Sequence, residues 1–346
     1  MAYSSITKPG DHFNTKLYSG NSSTNAITGV GFQPDLVWLK RRTVSVAHHL
    51  WHDIVRGKSG AKYYYLESSS TIAQNVQGDA DGLSTLDSDG FTLTYNDSGA
   101  WNVSGSNYVS WNFKADGTPS SNTDGTITSS VSANTTAGFS IVSWTNASDG
   151  NDTVGHGLNS APEIVITKKT STTNNWTAYT TIIDGSYDYL FLNTTAAKSD
   201  ISKAAPTSSV FTTDMGDTST AIAYAFHSVK GYSKFGSYTG NYNTDGTFIY
   251  TGFKPAWVMT KRTDSTSDWR MFDGTRAPLN PANKWMNANS TAVEGTDVQA
   301  DLLSNGFKLR DAANAFNASG GTFIYMAFAE NPLVASVSGG LPATAV

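Results

Sequence analysis

No cysteine occurs among the 346 residues, so neither a disulfide nor a thiolate metal site can staple this chain. Stability has to come from packing. Charge is also sparse: Asp, Glu, Lys and Arg make up only 15% of the residues, the net charge is −5, and the longest basic run is Lys40-Arg41-Arg42. A binder of nucleic acid needs a basic footprint, so DNA and RNA are not expected partners. No apolar run approaches the ~18 residues of a membrane span, and Met1–Thr7 lacks the basic start and apolar core of a signal peptide. The expectation is a soluble protein made in a cytoplasm, with no membrane insertion.

What is abundant is aromatic and turn-forming. Trp (9), Tyr (16) and Phe (16) supply the large apolar surfaces that separate a packed chain from a disordered one. Gly, Ser, Thr and Asn fill much of the rest, the composition of short strands and many turns.

Laid against itself, the chain repeats three times. Pro34, Pro162 and Pro255 are each followed by Val at the third position (Val37, Val165, Val258) and Lys at the sixth (Lys40, Lys168, Lys261). Downstream, Phe91, Phe211 and Phe307 each precede an aromatic closing segment, ending in Phe113, Phe226 and Phe328. Ahead of each Pro lies an aromatic-alternating stretch at Phe13–Asn21, Phe139–Thr145 and Tyr232–Asn241, whose period of two predicts strands. Short strands separated by Asn/Asp/Gly/Ser turns predict an all-β fold of three tandem sandwich or jelly-roll modules. Their expected bounds are 1–113, 131–230 and 231–330. Residues 114–130, rich in Gly, Ser, Thr and Asp, read as a linker, and 331–346 as an extended C-terminal tail. Helix is expected only in short pieces, at Thr291–Leu303 and Ala196–Lys203. The second copy departs most, having Ser160-Ala161 where the others have Gly-Phe.

The phrases Gly31–Lys40 (GFQPDLVWLK), Asp124–Thr145 (DGTITSSVSANTTAGFSIVSWT), Thr153–Leu158 (TVGHGL), Phe323–Leu333 (FIYMAFAENPL) and Gly340–Val346 (GLPATAV) resemble repeats in virion proteins of tailed, especially marine, phages. The resemblance runs from about residue 11 to the end. It implies concanavalin-like or jelly-roll modules, and a place in the virion as a tail fibre, spike or decoration protein. Other virion proteins are then the implied partners, with a host-surface glycan as a further one, and a homotrimer is the form expected by analogy with fibres and spikes.

Candidate sites are few. His48, His49, His52 and Asp53 gather imidazoles and a carboxylate; alternation puts His48 and His52 on one side, where they could ligate a metal. With no second ligand motif elsewhere, a lone cluster of this kind is more often a polar strand face. The turns Asp79-Ala80-Asp81-Gly82 and Asp87-Ser88-Asp89-Gly90 could hold calcium through carboxylates, although Asx-Gly turn chemistry accounts for them without an ion. Hence no cofactor is expected beyond a possible calcium. The four glutamates, Glu67, Glu163, Glu294 and Glu330, stand at non-equivalent places, so no shared glycosidase dyad is visible. No nucleophile elbow, zincin motif or P-loop occurs, and the chain reads as no enzyme. Sugar binding by exposed aromatics is the remaining chemistry, with Trp101, Trp51 and Trp269 as candidates against a core role. Lys40, Lys168 and Lys261 are expected to end strands at the surface. Attachment to glycans or virion proteins leads, with capsid decoration and a polysaccharide-degrading tailspike as alternatives.

Overall fold

The computed structural model describes residues 4–76, 82–94, 100–147 and 150–333. The protein is all-β, and its sheets are antiparallel. The largest sheets repeat one spatial order. In the first segment the strands lie as Phe13–Ser19, Asn107–Phe113, Leu36–Arg41, Leu50–Asp53, Leu66–Glu67. The third segment matches it with Ser233–Thr239, Thr322–Pro332, Phe253–Arg262, Trp269–Asp273 and Trp285–Asn287. The second has Phe139–Thr145, Thr220–Phe226, Ile164–Lys169, Thr177–Thr180 and Asp188–Phe191, extended to eight strands by Ser120–Asn122 and Ser129–Asn134 at one edge and Ser199–Asp200 at the other. The stretch expected to be a linker therefore supplies an edge strand, because Ser120, Ser121 and Asn122 pair with Val131, Ser130 and Ser129.

Every large sheet has two buried faces, which explains the dense apolar runs after the prolines. Val37, Leu39 and Leu50 pack outward against a small sheet of Asn25–Thr28, Gly90–Thr94 and Gly82–Asp87. Val142, Trp144 and Val165 pack likewise against Val154 and Phe211, and Val258 and Phe272 against Ile249, Leu302 and Phe307. The opposite faces meet one another. Trp38, Trp51 and Trp111, then Ile141, Ile166 and Trp176, then Trp257, Met259 and Trp269 belong to a single apolar cluster drawn from all three segments.

The strand-end phenylalanines mark its centre. Phe113, Phe226 and Phe328 occupy one register position, opposite Leu36, Ile164 and Trp257. Their rings stand 6.0, 5.3 and 6.1 Å apart by centroid, a nearly equilateral triangle on a pseudo-threefold axis. Burying such rings, with edge-to-face contacts added to the area removed from water, is the dominant favourable term at the centre.

The second copy places its glycine differently in the outer strand pair. Gly90 and Gly306 lie opposite Thr28 and Tyr250, and a Cβ on either would stand 1.9 or 2.1 Å from the carbonyl oxygen of Ile27 or Ile249. In the second segment Val210 holds that place and the residue opposite it is Gly155. The small residue has moved across the pair.

Helix among the described residues is confined to a 3-10 turn at Pro9–Asp11 and one turn at Asn314–Asn317. Neither expected helix forms: Ser199–Asp200 and Ala300–Leu303 are strands, captured by sheet pairing. Asn331 and Pro332 finish the last strand, and the rest of the expected tail from residue 334 lies outside the described residues. No helix among the described residues is long and apolar enough to cross a membrane.

Candidate functional site

The sequence candidates for flat sugar-binding faces are in the interior. Trp51 and Trp269 are 1% and 2% exposed and belong to the shared core. Trp101, 4% exposed, packs edge-on against Tyr65, and its indole N–H donates to His52 Nε2 at 3.0 Å. Their expected exposure is thus corrected: the polar neighbours of Trp101 in sequence do not surround it in space. Large aromatics exposed among the described residues are Tyr242, Phe248 and Tyr250, all in the third segment. Phe248 and Tyr250 flank buried Ile249 on one strand, so both rings face the same way. That alternation is the sequence signal that marks them.

The histidines separate. His52 is buried, and burial beside the Arg56 cation pulls its pKa down to about 3. His49 accepts the Trp38 indole N–H at 2.9 Å and is likewise held neutral by burial. His48 instead faces the Ser69 hydroxyl at 3.0 Å and Glu67 at 3.2 Å. Among the described residues no group of three or more His, Asp or Glu is placed to hold a metal. Asp87 accepts the Thr92 hydroxyl at 2.7 Å. Asp89 accepts the Gly29 and Gly31 amides at 2.9 and 2.7 Å, which lowers its pKa. Those carboxylates are occupied by protein donors, Asp89 by amides distant in sequence and not by those of its own turn; Asp79 and Asp81 lie outside the described residues.

Polar side chains converge instead at the seams between segments. Lys40, Lys168 and Lys261, expected at the surface, are fully buried. Each reaches across a seam to the carbonyl of an equivalent threonine: Lys40 to Thr291 at 3.0 Å, Lys168 to Thr71 at 3.1 Å and Lys261 to Thr195 at 3.0 Å. Lys40 also donates to the Ala47 carbonyl. Desolvation lowers each ammonium to about 8. Main-chain bonds repeat the pattern, with the amides of Gln74, Lys198 and Glu294 donating to the carbonyls of Thr170, Thr263 and Arg42. The Trp176 and Trp269 indoles donate to the carbonyls of Glu67 and Phe191 in the neighbouring segment at 2.7 and 2.9 Å. The three seams are therefore related by the same operation, and the ring is closed.

Two of the seams also bury an ion pair. Arg56 holds Asp53 at 2.5 Å, and Asp53 accepts the Tyr224 hydroxyl at 2.7 Å from the second segment. Arg276 holds Asp273 at 2.5 Å, and Asp273 accepts the Trp111 indole N–H at 3.2 Å from the first. In the remaining seam the corresponding residues are Thr180, Ile183 and Met326. Both halves of the polar contact are lost together, which avoids a stranded buried charge.

Beside these seams each segment carries a shallow cleft at the same place, next to His48, Asn175 or Asp268. The first is lined by Tyr65 and Glu67, the second by Tyr189, Phe191 and Asp214, and the third by Arg262 and Asn314. Their linings differ, so the three copies share a frame and not a common set of side chains.

A family model matches residues 8–332, and its description is a domain of unknown function (DUF7483). The chain belongs to that DUF7483 family. Comparison with curated proteins and with solved structures returned no match. The span matched takes in all three segments, so the DUF7483 domain comprises the whole closed ring and not one of its repeats.

Proposed function

We propose that this DUF7483 protein is a structural and adhesive component of a phage particle. It serves as a surface appendage of tail-fibre or spike type that attaches to host-surface glycans or to other virion proteins, and its units are jelly-roll or concanavalin-like sandwiches. The observation that carries this reading is the closed ring: the buried lysines and aspartates of the seams are spent on joining copies, the economy of a rigid building block. The exposed Phe248 and Tyr250 strip gives it an outer contact face. A homotrimer of the kind expected for fibres has to assemble through such outer surfaces, because the inner faces are already occupied. The polysaccharide-degrading alternative has less support, since the clefts beside the seams carry one carboxylate each (Glu67, Asp214, Asp268) where glycoside hydrolysis uses two.

Immunogold labelling of purified particles is the test. Label on tail appendages is expected, and particles that carry no label would overturn the virion assignment. Label confined to the head would favour capsid decoration, for which the pseudo-threefold ring is the supporting observation, because it matches a threefold position on an icosahedral shell.

A further inference from the structure

On the outer face of each large sheet, two neighbouring strands present a square of four side chains, and its corners are filled differently in each segment. In the third segment Arg270 pairs with Asn287 and Phe272 with Trp285. The same register gives Thr177 with Phe191 and Tyr179 with Tyr189 in the second, and Leu50 with Glu67 in the first, where Tyr65 is the ring equivalent to Trp285 and Tyr189. Arg270 is 9% exposed; its guanidinium carbon stands 3.6 Å from the Trp285 ring centre and 5.9 Å from that of Phe316, and Nη1 donates to Gln299 Oε1 at 3.1 Å. Leu50 takes that corner in the first segment, and Trp101 closes edge-on against Tyr65 at 5.3 Å. Thr177 takes it in the second and is too short to cover Tyr189. Among the described residues no cation stands over that ring. Tyr189 and Phe191 are only partly buried, and a cleft of about 440 Å³ opens along them.

The rim of this cleft brings the matching charge. Ala100, Asp214 and Ala315 line the three corresponding clefts, each just ahead of a buried side chain (Trp101, Met215, Phe316), so the second segment alone has a carboxylate at this place. The Asp214 side chain is 50% exposed, and its ion pair with Lys203 is long, at 3.5 Å. That ammonium donates instead to the Gly150 carbonyl and Asn151 Oδ1, at 2.7 and 2.8 Å. Burial, and then the Asp214 carboxylate, push the Tyr179 phenol up, which places the charge beside the rings. A partly exposed ring next to a carboxylate suits a planar cation, which gains from the quadrupole of the ring and from charge-assisted hydrogen bonds together. We infer that this cleft takes an arginine side chain of a partner protein, its guanidinium lying over Tyr189 as Arg270 lies over Trp285 and donating to Asp214. The protein's own third segment is the precedent for the stacked cation. The inference deepens the attachment reading on its protein-partner side and rests on it for the identity of the partner, while the cleft chemistry is independent of where the protein sits.

Isothermal titration of the full chain with a capped peptide carrying one arginine, its citrulline analogue and glucose tests it. Citrulline has nearly the shape of arginine without the charge. The arginine peptide is expected to bind at least about tenfold more tightly than either control, the scale of a desolvated cation on a ring with a carboxylate beside it. Thr177→Arg installs the guanidinium that the third segment carries over its own ring, and is expected to abolish peptide binding while the melting temperature stays level or rises. Asp214→Asn alters a half-exposed side chain, is expected to weaken the peptide at least about fivefold, the scale of a charge-assisted hydrogen bond, and decides the matter should Thr177→Arg not fold. Citrulline or glucose binding as tightly as arginine, no binding of the arginine peptide, or undiminished binding by the folded variants each overturns the inference. Such a failure leaves the immunogold result standing, and particles without label leave the peptide result standing.

Discussion

At the scale of single residues, the polar atoms of this protein are placed by partners far away in sequence. Trp101 and His52 form one unit: the buried indole N–H donates to the imidazole Nε2 at 3.0 Å. Trp101→Phe keeps most of the ring and strands the histidine nitrogen, so a loss of about 1–3 kcal/mol is expected in denaturant titration, the scale of an unsatisfied buried acceptor. Because His52 is already held neutral, with a pKa of about 3, that loss is expected to be the same at pH 6 and pH 8. Reading Trp101 from its neighbours in sequence misplaced it for an evident reason. The loop around it is polar, and composition reports what adjoins a residue along the chain, whereas burial depends on Tyr65 and His52 arriving from elsewhere. The recurrence of lysine six residues after each proline was legible, but its destination was not, since the threonine carbonyls that receive it belong to a different repeat each time.

At the scale of elements, the lysine that ends each central strand acts as a latch between neighbouring sheets. Three ammonium groups are bound chiefly by carbonyls and their charged form is disfavoured by desolvation, so stability depends on pH in a predictable direction. Below about pH 8 the lysines are protonated in both folded and unfolded chains, and the folded state bears the cost of holding buried charge. Above about 8 the folded lysines release their protons, while unfolded ones keep theirs until near 10.4. The unfolded state then binds more protons, and stability rises with pH across that window. Tyrosines, raised by burial in the folded state as at Tyr232 and Tyr238, oppose this once unfolded phenols ionise near 10, so the gain is expected between about pH 8 and 9.5. Lys168→Met should flatten the slope by about a third of the lysine contribution, one group in three. It should cost little at neutral pH, because the Thr71 carbonyl keeps the Asn174 amide at 2.9 Å. Guanidinium unfolding midpoints measured across the pH range would show it; an unchanged slope would mean that Lys168 is solvated in the folded state.

At the scale of the whole molecule, three repeats in sequence are not three bodies in space. The long strands on either side of each recurring proline and the threefold repetition could be read from period-two alternation and the recurring proline, valine and lysine, because those signals are local, whereas the short strands Ser199–Asp200 and Ala300–Leu303 could not. What could not be read is that each large sheet is apolar on both faces for two different reasons, one face covering its own small sheet and the other covering its sister sheets. A linker was expected where the second sheet gains an edge, since hydroxyl-rich strands such as Ser129–Asn134 carry little apolar signal. The shared core has a thermodynamic consequence. Separate modules would melt separately, giving a calorimetric enthalpy about three times the van't Hoff value, whereas a common core ties the three into one transition with a ratio near one. Phe226→Ala separates the two cases further. The ring contacts Phe113, Phe328 and Phe235 from the other two segments as well as Phe139 from its own. Its removal is expected to cost about 3–5 kcal/mol and to lower the entire transition. Were only a third of the enthalpy to shift, the closed ring would be three neighbours in contact and not a single cooperative unit.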